Sequence, residues 1–377
     1  MCGSSGTQPR ISNRNSPEYK SQLNGDATRD SAGEGAFTVG KTILILGGGT
    51  AGVAAANVLA DVLPPGNQVV LVDRSPVHLF LASLPLLIVG RRRPAQLTRE
   101  LSLLEGRGLK FIQTEVQSLD LVGRAVLTQA GPLTYDFLFI ALGAERRTDQ
   151  IPGQKEWAFN PFDLQEAQEL AARIARLHRG RIVLFVPSLP FTGEVAPYEI
   201  MLLLHDYFRR RGVRSQVELV LITPEERPFS FAPQKISSHM EQLLGRAGIT
   251  LLTGRRVHSV NKAGEVLLDQ GRLAADVVVA IPHHQAPACL RSSPLAGPEG
   301  WLDVDRHSLE TRFPGVYALG DVVGLRLSTG HWLPKVGFFA HYQAEVAARN
   351  LALQLSGRDP AFKFLGGAAG ASMLTAF

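Results

Sequence analysis

The sequence predicts an α/β fold of two doubly wound, Rossmann-like parallel sheets in series. Three observations carry that prediction. Short runs of consecutive apolar, mostly β-branched or Leu residues recur along the chain, the mark of strands buried on both faces. These runs alternate with segments of helical spacing in two successive sets. Between the first run and the first helix stands Gly47-x-Gly49-x-x-Gly52, and the second run closes on Asp73.

Thr42 to Leu46 is the opening strand, and the helix after it turns small apolar residues inward (Ala51, Val53, Ala54, Ala55, Val58, Leu59). Gly47 makes the tight turn, Gly49 lets a pyrophosphate approach the backbone, and Gly52 allows close helix–strand packing. The helix N-terminus stabilises phosphate charge, and Asp73, after the strand Val69 to Val72, can accept a ribose hydroxyl. Read alone, this stretch is a dinucleotide site that suits NAD as well as FAD.

The 377 residues leave room for about two or three domains. The chain is 45% hydrophobic and 19% charged, an ordinary balance for a protein with sizeable cores. Its net charge of +5 is spread along the chain. That tolerates an anionic cofactor or membrane surface but is no nucleic-acid signature. The longest apolar run, Leu79 to Val89, is too short for a membrane span and contains Pro85. Two cysteines, Cys2 and Cys289, cannot make a disulfide framework or a thiolate metal site, so no metal is expected, and a reducing, cytoplasmic setting fits.

Residues 1–38 are Ser, Gly, Asn, Asp and Arg with almost no apolar residue, so a disordered tail without a signal peptide is expected. After Asp73 comes a Pro-broken apolar loop ending in Arg91 to Arg93, read as a solvated turn. A strand at Lys110 to Thr114 follows, then a hairpin through Ala125 to Leu127, then a buried strand from Tyr135 to Ala141. Ala141-Leu142-Gly143 ends it, where a small residue and a glycine let the backbone approach a flat ligand. Ile151-Pro152-Gly153 reads as the linker out of this unit.

The second unit begins with a helix over Phe162 to His178, with Asp163 as its N-cap. Strands follow at Arg181 to Val186, Val217 to Ile222, Thr250 to Thr253 and Val277 to Ile281. Helices lie at Glu199 to Arg211 and Ile236 to Ala247, and Val257 to Leu268 reads as a hairpin. Where the first unit has its glycine turn, this one reads VPSLPFTGEVAPYE, with three prolines and a single glycine. A nicotinamide dinucleotide is expected to bind poorly there or not at all. Residues 301–350 return to the first unit. A strand at Val316 to Leu319 places Gly320 and Asp321 at the carboxyl end, where open parallel sheets bind ligands, and Asp321 can accept the hydroxyls of a polyol such as a ribityl chain. Pro334-Lys335 opens a helix to about Leu353, whose N-terminus and Lys335 offer positive charge suited to an anionic reduced flavin.

GGGTAG with Asp73, the loop LFLASLP, Ala141-Leu142-Gly143, APYE at 196–199, FPGVYALGD and PKVGFFAHYQAEVAARNL together resemble the sulfide:quinone oxidoreductases. The flavoprotein subunit of flavocytochrome c sulfide dehydrogenase looks equally close, and type II NADH dehydrogenases are more distant relatives. The match runs over about residues 40–365. It implies two glutathione-reductase-type FAD/NAD(P)-binding domains: an FAD domain at 39–153 plus 291–365, and a second at 154–290 with a degenerate nucleotide motif. FAD would be held by Gly47, Gly49, Gly52, Asp73, Val116 through its backbone, Ala141, Gly143, Gly320, Asp321 and Lys335, with Lys335 also the catalytic residue. The implied partners are a small-molecule electron donor and a quinone, the latter met peripherally at a membrane.

The departures from that family fall on its redox cysteines, which accept sulfide beside the flavin. The equivalent positions here fall at about Gly193, near Asn160 and in FKFLGGAAGASMLTAF, none of which is cysteine. Thiolate attack needs sulfur, and no Ser or Thr matches its nucleophilicity at neutral pH. Cys289 lies off the pattern and reads as a structural thiol, and His283 and His284 read as loop histidines at a domain junction. The sequence also stops at Phe377, before the C-terminal helices with which the family seats itself on membranes. Three functions follow as expectations: an FAD-dependent oxidoreductase without cysteine-based sulfide oxidation, an NAD(P)H:acceptor oxidoreductase of the type II kind, and a non-catalytic flavin-binding remnant.

Overall fold

The computed structural model describes residues 40–366, so the expected tail at 1–38 lies outside the described residues. The chain opens with β1 (Thr42–Leu46), turns into α1 (Thr50–Val62) and returns as β2 (Gln68–Asp73). β3 (Val77–Leu79) and β4 (Thr98–Glu100) form a short antiparallel ribbon with the helix α2 (Leu84–Ile88) between them. β5 (Lys110–Gln113) precedes an antiparallel meander of β6 (Val116–Asp120), β7 (Ala125–Thr128) and β8 (Gly131–Thr134). β9 (Phe137–Ile140) and the short β10 (Glu145–Arg147) follow.

The second set runs α3 (Leu164–Arg176), β11 (Gly180–Phe185), α4 (Ala196–Arg210), β12 (Val217–Ile222), α5 (Gln234–Arg246) and β13 (Ile249–Leu252). An antiparallel meander of β14 (Val257–Val260), β15 (Glu265–Leu268) and β16 (Arg272–Ala274) leads to β17 (Val277–Ala280) and β18 (His283–Gln285). β19 (Val316–Ala318) and α6 (Gly337–Leu355) complete the described chain.

Two wholly parallel sheets result, ordered β19-β9-β1-β2-β5 and β13-β12-β11-β17. In each, the chain steps to one side of its first strand and later returns on the other, which opens a crevice at the carboxyl ends of the central strands. Their apolar runs are buried because helices or meanders cover both faces: Ile43 to Leu46 on β1, Ile182 to Phe185 on β11 and Val277 to Ala280 on β17 are all inaccessible. Asp163 caps α3 by accepting from the Gln165 and Glu166 amides, as its position before an apolar-periodic run predicts.

The structure departs from the sequence reading in several segments. The apolar stretch after Asp73 is not an open loop: Leu84, Leu87 and Ile88 of α2 are buried in one cluster with residues of α3 and α4. Pro85 falls in the first turn of α2, where a missing N–H costs nothing, so the residue that looked like a breaker starts a helix. Arg91 to Arg93 are exposed, and Arg91 pairs with Asp206 of α4. Ile151-Pro152-Gly153 is no free linker, because Ile151 is buried and the Pro152 carbonyl accepts from the Val260 amide at 2.9 Å. His283 and His284 lie in β18, paired antiparallel with β10, rather than in a loop. The last helix begins at Gly337, and Lys335 precedes it on extended backbone.

The packing of α1 on β1 requires a glycine at Gly52, where a Cβ would overlap the Gly47 carbonyl oxygen. Gly52→Ala is expected to lower unfolding free energy by about 1–3 kcal/mol, the usual penalty of overpacking, as read from the midpoint of urea denaturation.

Candidate functional site

The carboxyl ends of β1, β2, β9 and β19 gather most of the residues that the sequence singled out. Gly47 has a φ of +104°, and its amide donates to the Val72 carbonyl at 2.7 Å. A Cβ there would strike the Ala141 carbonyl, so Gly47 and Ala141 meet backbone to backbone. Gly49 is the N-cap of α1, makes no side-chain cap bond, and would send a Cβ into open space. The positive end of a 13-residue helix therefore stands uncapped by any side chain. Asp73 accepts from the Gly48 amide at 2.5 Å and the Ser75 amide at 2.7 Å. A carboxylate offers about four lone-pair sites, so acceptor capacity remains for a ribose hydroxyl. A ring nitrogen of His78 lies 2.8 Å from the Gly48 carbonyl oxygen. Gly143, at φ +67°, also faces open space beyond β9, and Val116 sits half-buried at the start of β6.

Gly320 packs between Ala51 of α1 and Ala340 of α6, and its amide donates to Gln343 Oε1 at 2.6 Å. Asp321 is half-buried, and its carboxylate accepts from Thr192 Oγ1 at 2.8 Å. Lys335 is 4% exposed. Its Nζ donates to the Asp321 carbonyl at 2.7 Å and the Val323 carbonyl at 2.9 Å, and lies 3.6 Å from the centre of the Trp301 ring. The Gly193 amide donates to the Lys335 carbonyl at 2.7 Å. The cavity left beside Gly320, Asp321, Lys335 and Gln343 is about 10 Å³, room for a water and not for an aromatic ring. The glycine cradle and Asp73 thus fit the phosphate and ribose end of FAD, while the turn Thr192–Val195 covers the end where a flavin ring would meet Asp321 and Lys335.

Burial sets the electrostatics at this junction. It lowers Lys335 to about 8, against the raising pull of Asp321 and Glu194. It raises Asp321, against Lys335 and the Thr192 hydrogen bond, and raises Glu194 well above the ordinary carboxyl range, with Glu225 adding to the effect. His284 is lowered to about 3, first by burial and then by the charges of Arg146, His283 and Lys335. Burial also lowers Arg146, whose guanidinium donates to the Phe162 carbonyl.

In the second sheet the corresponding crevice is filled. Tyr198 donates to Glu225, which also accepts from Thr223 Oγ1 at 3.1 Å, and all three are buried. Phe229 meets Tyr198 at a tilt of 58°, with ring centres 4.6 Å apart. Glu225, just beyond the end of β12, stands where an acid would take a nucleotide ribose, yet it is committed to Tyr198 and Thr223. At the positions where a redox cysteine would fall, Gly193 has a φ of +71°, and its Cβ would lie 3.2 Å from the Phe162 ring. Asn160 is buried, with its side chain accepting from the Phe162 amide at 2.9 Å. Cys289 is held by neighbours of the first sheet, and burial raises its thiol, which leaves it a poor nucleophile.

The model of the pyridine nucleotide-disulphide oxidoreductases matches residues 41–344. The chain belongs to that family and is by class an FAD-dependent oxidoreductase. It is 23% identical over 339 residues to mitochondrial sulfide:quinone oxidoreductase of Mus musculus, covering 86% of this chain and 73% of that one. The alternative NAD(P)H-ubiquinone oxidoreductase C1 of Arabidopsis thaliana is 25% identical over 362 residues, covering 84% and 68%. The crystal structure of sulfide:quinone oxidoreductase from Aquifex aeolicus superposes with a TM-score of 0.76 at 21% identity, covering 84% of this chain and 77% of that one, and shares the fold.

Sequence reasoning missed Thr192, Glu194, Arg146, Trp301, Gln343 and the burial of His284. Only Gln343 left a local trace, as a polar residue among the small apolar positions of α6. His284 supplies a test of the geometry. The unfolded chain takes up its proton as pH falls through about 6.5, the folded chain only near 3, so this residue costs stability as pH drops through that window. Asp321 and Glu194, both raised, work in the opposite direction. Comparing wild type with His284→Phe isolates the histidine: between about pH 7 and about pH 5 the variant should lose about 2 kcal/mol less unfolding free energy, measured by denaturant titration.

Proposed function

We propose that the protein takes two electrons from a small-molecule donor onto FAD and passes them to a quinone, without cysteine-based sulfide oxidation. The observation that carries this reading is the open cradle at Gly49 and the α1 N-terminus, with Asp73 at its rim. Bound there, FAD supplies reversible two-electron chemistry. Gly47, Gly49, Gly52, Ala141 and Gly143 let its backbone surroundings approach closely, Asp73 takes the ribose with the Val116 backbone on the same side of the sheet, and Gly320, Asp321 and Lys335 serve the other end. Lys335 places a positive charge in a low-dielectric setting beside Asp321, which favours negative charge developing nearby. With Gly193 and Asn160 at the cysteine positions, and Cys289 half-buried elsewhere, direct transfer from donor to flavin is the simplest route. An NAD(P)H donor, which the name of the Arabidopsis relative raises, is disfavoured by the Tyr198–Glu225–Phe229 plug. Among the described residues no helix is long and apolar enough to cross a membrane, so a quinone would be met at a membrane surface.

Anaerobic titration of the flavin-loaded protein tests this reading. A reduced quinone should bleach the flavin band, while sulfide and NADH should not do so at catalytic rates; rapid bleaching by sulfide would contradict it. Lys335→Met should lower the flavin midpoint potential by roughly 30 mV, a tenfold shift in the two-electron equilibrium, measured against a reference dye.

A further inference from the structure

Gly48, the middle residue of the glycine turn, is buried, while Gly49 beside it is exposed. Both backbone polar atoms of Gly48 are taken by side chains. Its amide donates to Asp73 Oδ2 at 2.5 Å, and its carbonyl oxygen lies 2.8 Å from His78 Nδ1. A carbonyl oxygen only accepts, so Nδ1 carries the proton. His78 is half-buried and reaches the turn from β3, which pairs antiparallel with β4 and sets His78 opposite Arg99. Leu101, just past β4, presses on the turn, because its side chain occupies the place a Cβ at Gly48 would need. The Leu101 amide in turn donates to the Pro76 carbonyl at 2.8 Å, which closes the ribbon beneath His78.

The planarity of the peptide unit turns this contact into an orientation. The Gly48 carbonyl and the Gly49 amide share one trans unit, in which C=O and N–H point opposite ways. Holding the carbonyl against His78 therefore aims the Gly49 N–H to the other side, where no backbone carbonyl among the described residues accepts from it. Gly49 caps α1 without a side chain over it, so that N–H stands at the positive end of the helix. A glycine–glycine peptide left free to turn would as readily present its carbonyl oxygen there, which repels an anion.

We propose that His78 is a positioning residue of the phosphate cradle: its Nδ1–H holds the Gly48–Gly49 peptide so that the Gly49 N–H is offered to a phosphate, while the imidazole itself stays off the ligand. The inference rests on the reading of this cradle as a dinucleotide site and adds to it a residue from outside the glycine motif.

The full-length apoprotein, titrated with FAD and ADP by calorimetry and with adenosine by ligand-observed NMR, tests this. His78→Leu, which removes the donor, should weaken FAD and ADP about tenfold and leave adenosine, which has no phosphate, unchanged. His78→Asn, whose Nδ2 takes the place of the imidazole Nδ1, should restore both to within about twofold of wild type. In wild type the Gly49 amide proton should move downfield with ADP and stay in place with adenosine. No such shift overturns the inference whether or not the variants fold. Unaltered ADP binding by His78→Leu, or an equal loss of ADP and adenosine, also overturns it and leaves the flavin reading standing. Loss in His78→Leu without recovery in His78→Asn overturns it too, since the imidazole would then be touching the phosphate. Wild type that binds neither FAD nor ADP overturns the flavin reading and the inference with it.

Discussion

A helix can deliver its N-terminus to the end of a buried strand only if the two backbones come closer than side chains permit. Here that approach is made at Gly52, whose Cα sits against the Gly47 carbonyl, while Gly47 sits against Ala141. Everything at the site depends on it. α1 brought this close to β1 leaves Gly49 open at the helix end and puts Gly48 within reach of Asp73. The small face of α1 then accepts Gly320 against Ala51, and α6 lies against α1 with Gly337 beside Thr50. Asp321 and Lys335 are placed by that packing rather than by any local motif of their own.

The two sheets treat their crevices differently although their strand orders correspond. In the first, glycine and alanine leave space at the strand ends. In the second, Tyr198, Phe229 and Glu225 occupy it, and the prolines of the β11–α4 connection replace the glycines that would cradle a phosphate. The polar groups at the junction between them, Arg146, Glu194, His284, Asp321 and Lys335, carry the electrostatic cost of that arrangement, since burying ionisable groups is unfavourable unless they are paired. The Asp321 carboxylate and the Lys335 ammonium have hydrogen-bond partners, whereas neither ring nitrogen of His284 has one among the described residues.

Long-period features were legible in the sequence and short or distant ones were not. Buried parallel strands announce themselves as continuous apolar runs, so β1, β2, β9, β11, β12, β17 and β19 were placed within a residue or two. β3, β4, β10 and β18 have three residues each, too few for any alternation to stand out, and two of them form the ribbon that carries Arg146 and His284. α2 was hidden because a proline at a helix start reads the same as a proline in a loop. The cradle residues were found because their spacing is local and mechanical. Thr192 and Asp321, 129 residues apart, meet only through tertiary packing, and no pattern in either segment foretells it.

The central claim is that the α1 N-terminus holds the flavin of this chain, and substitution of Gly49 addresses it most directly. A valine there projects into open space, so the fold should survive while the cradle is filled. The account predicts that wild type carries one flavin per chain by absorbance after acid release, and that Gly49→Val, equally stable by thermal denaturation, carries almost none. An equally loaded Gly49→Val protein would contradict it.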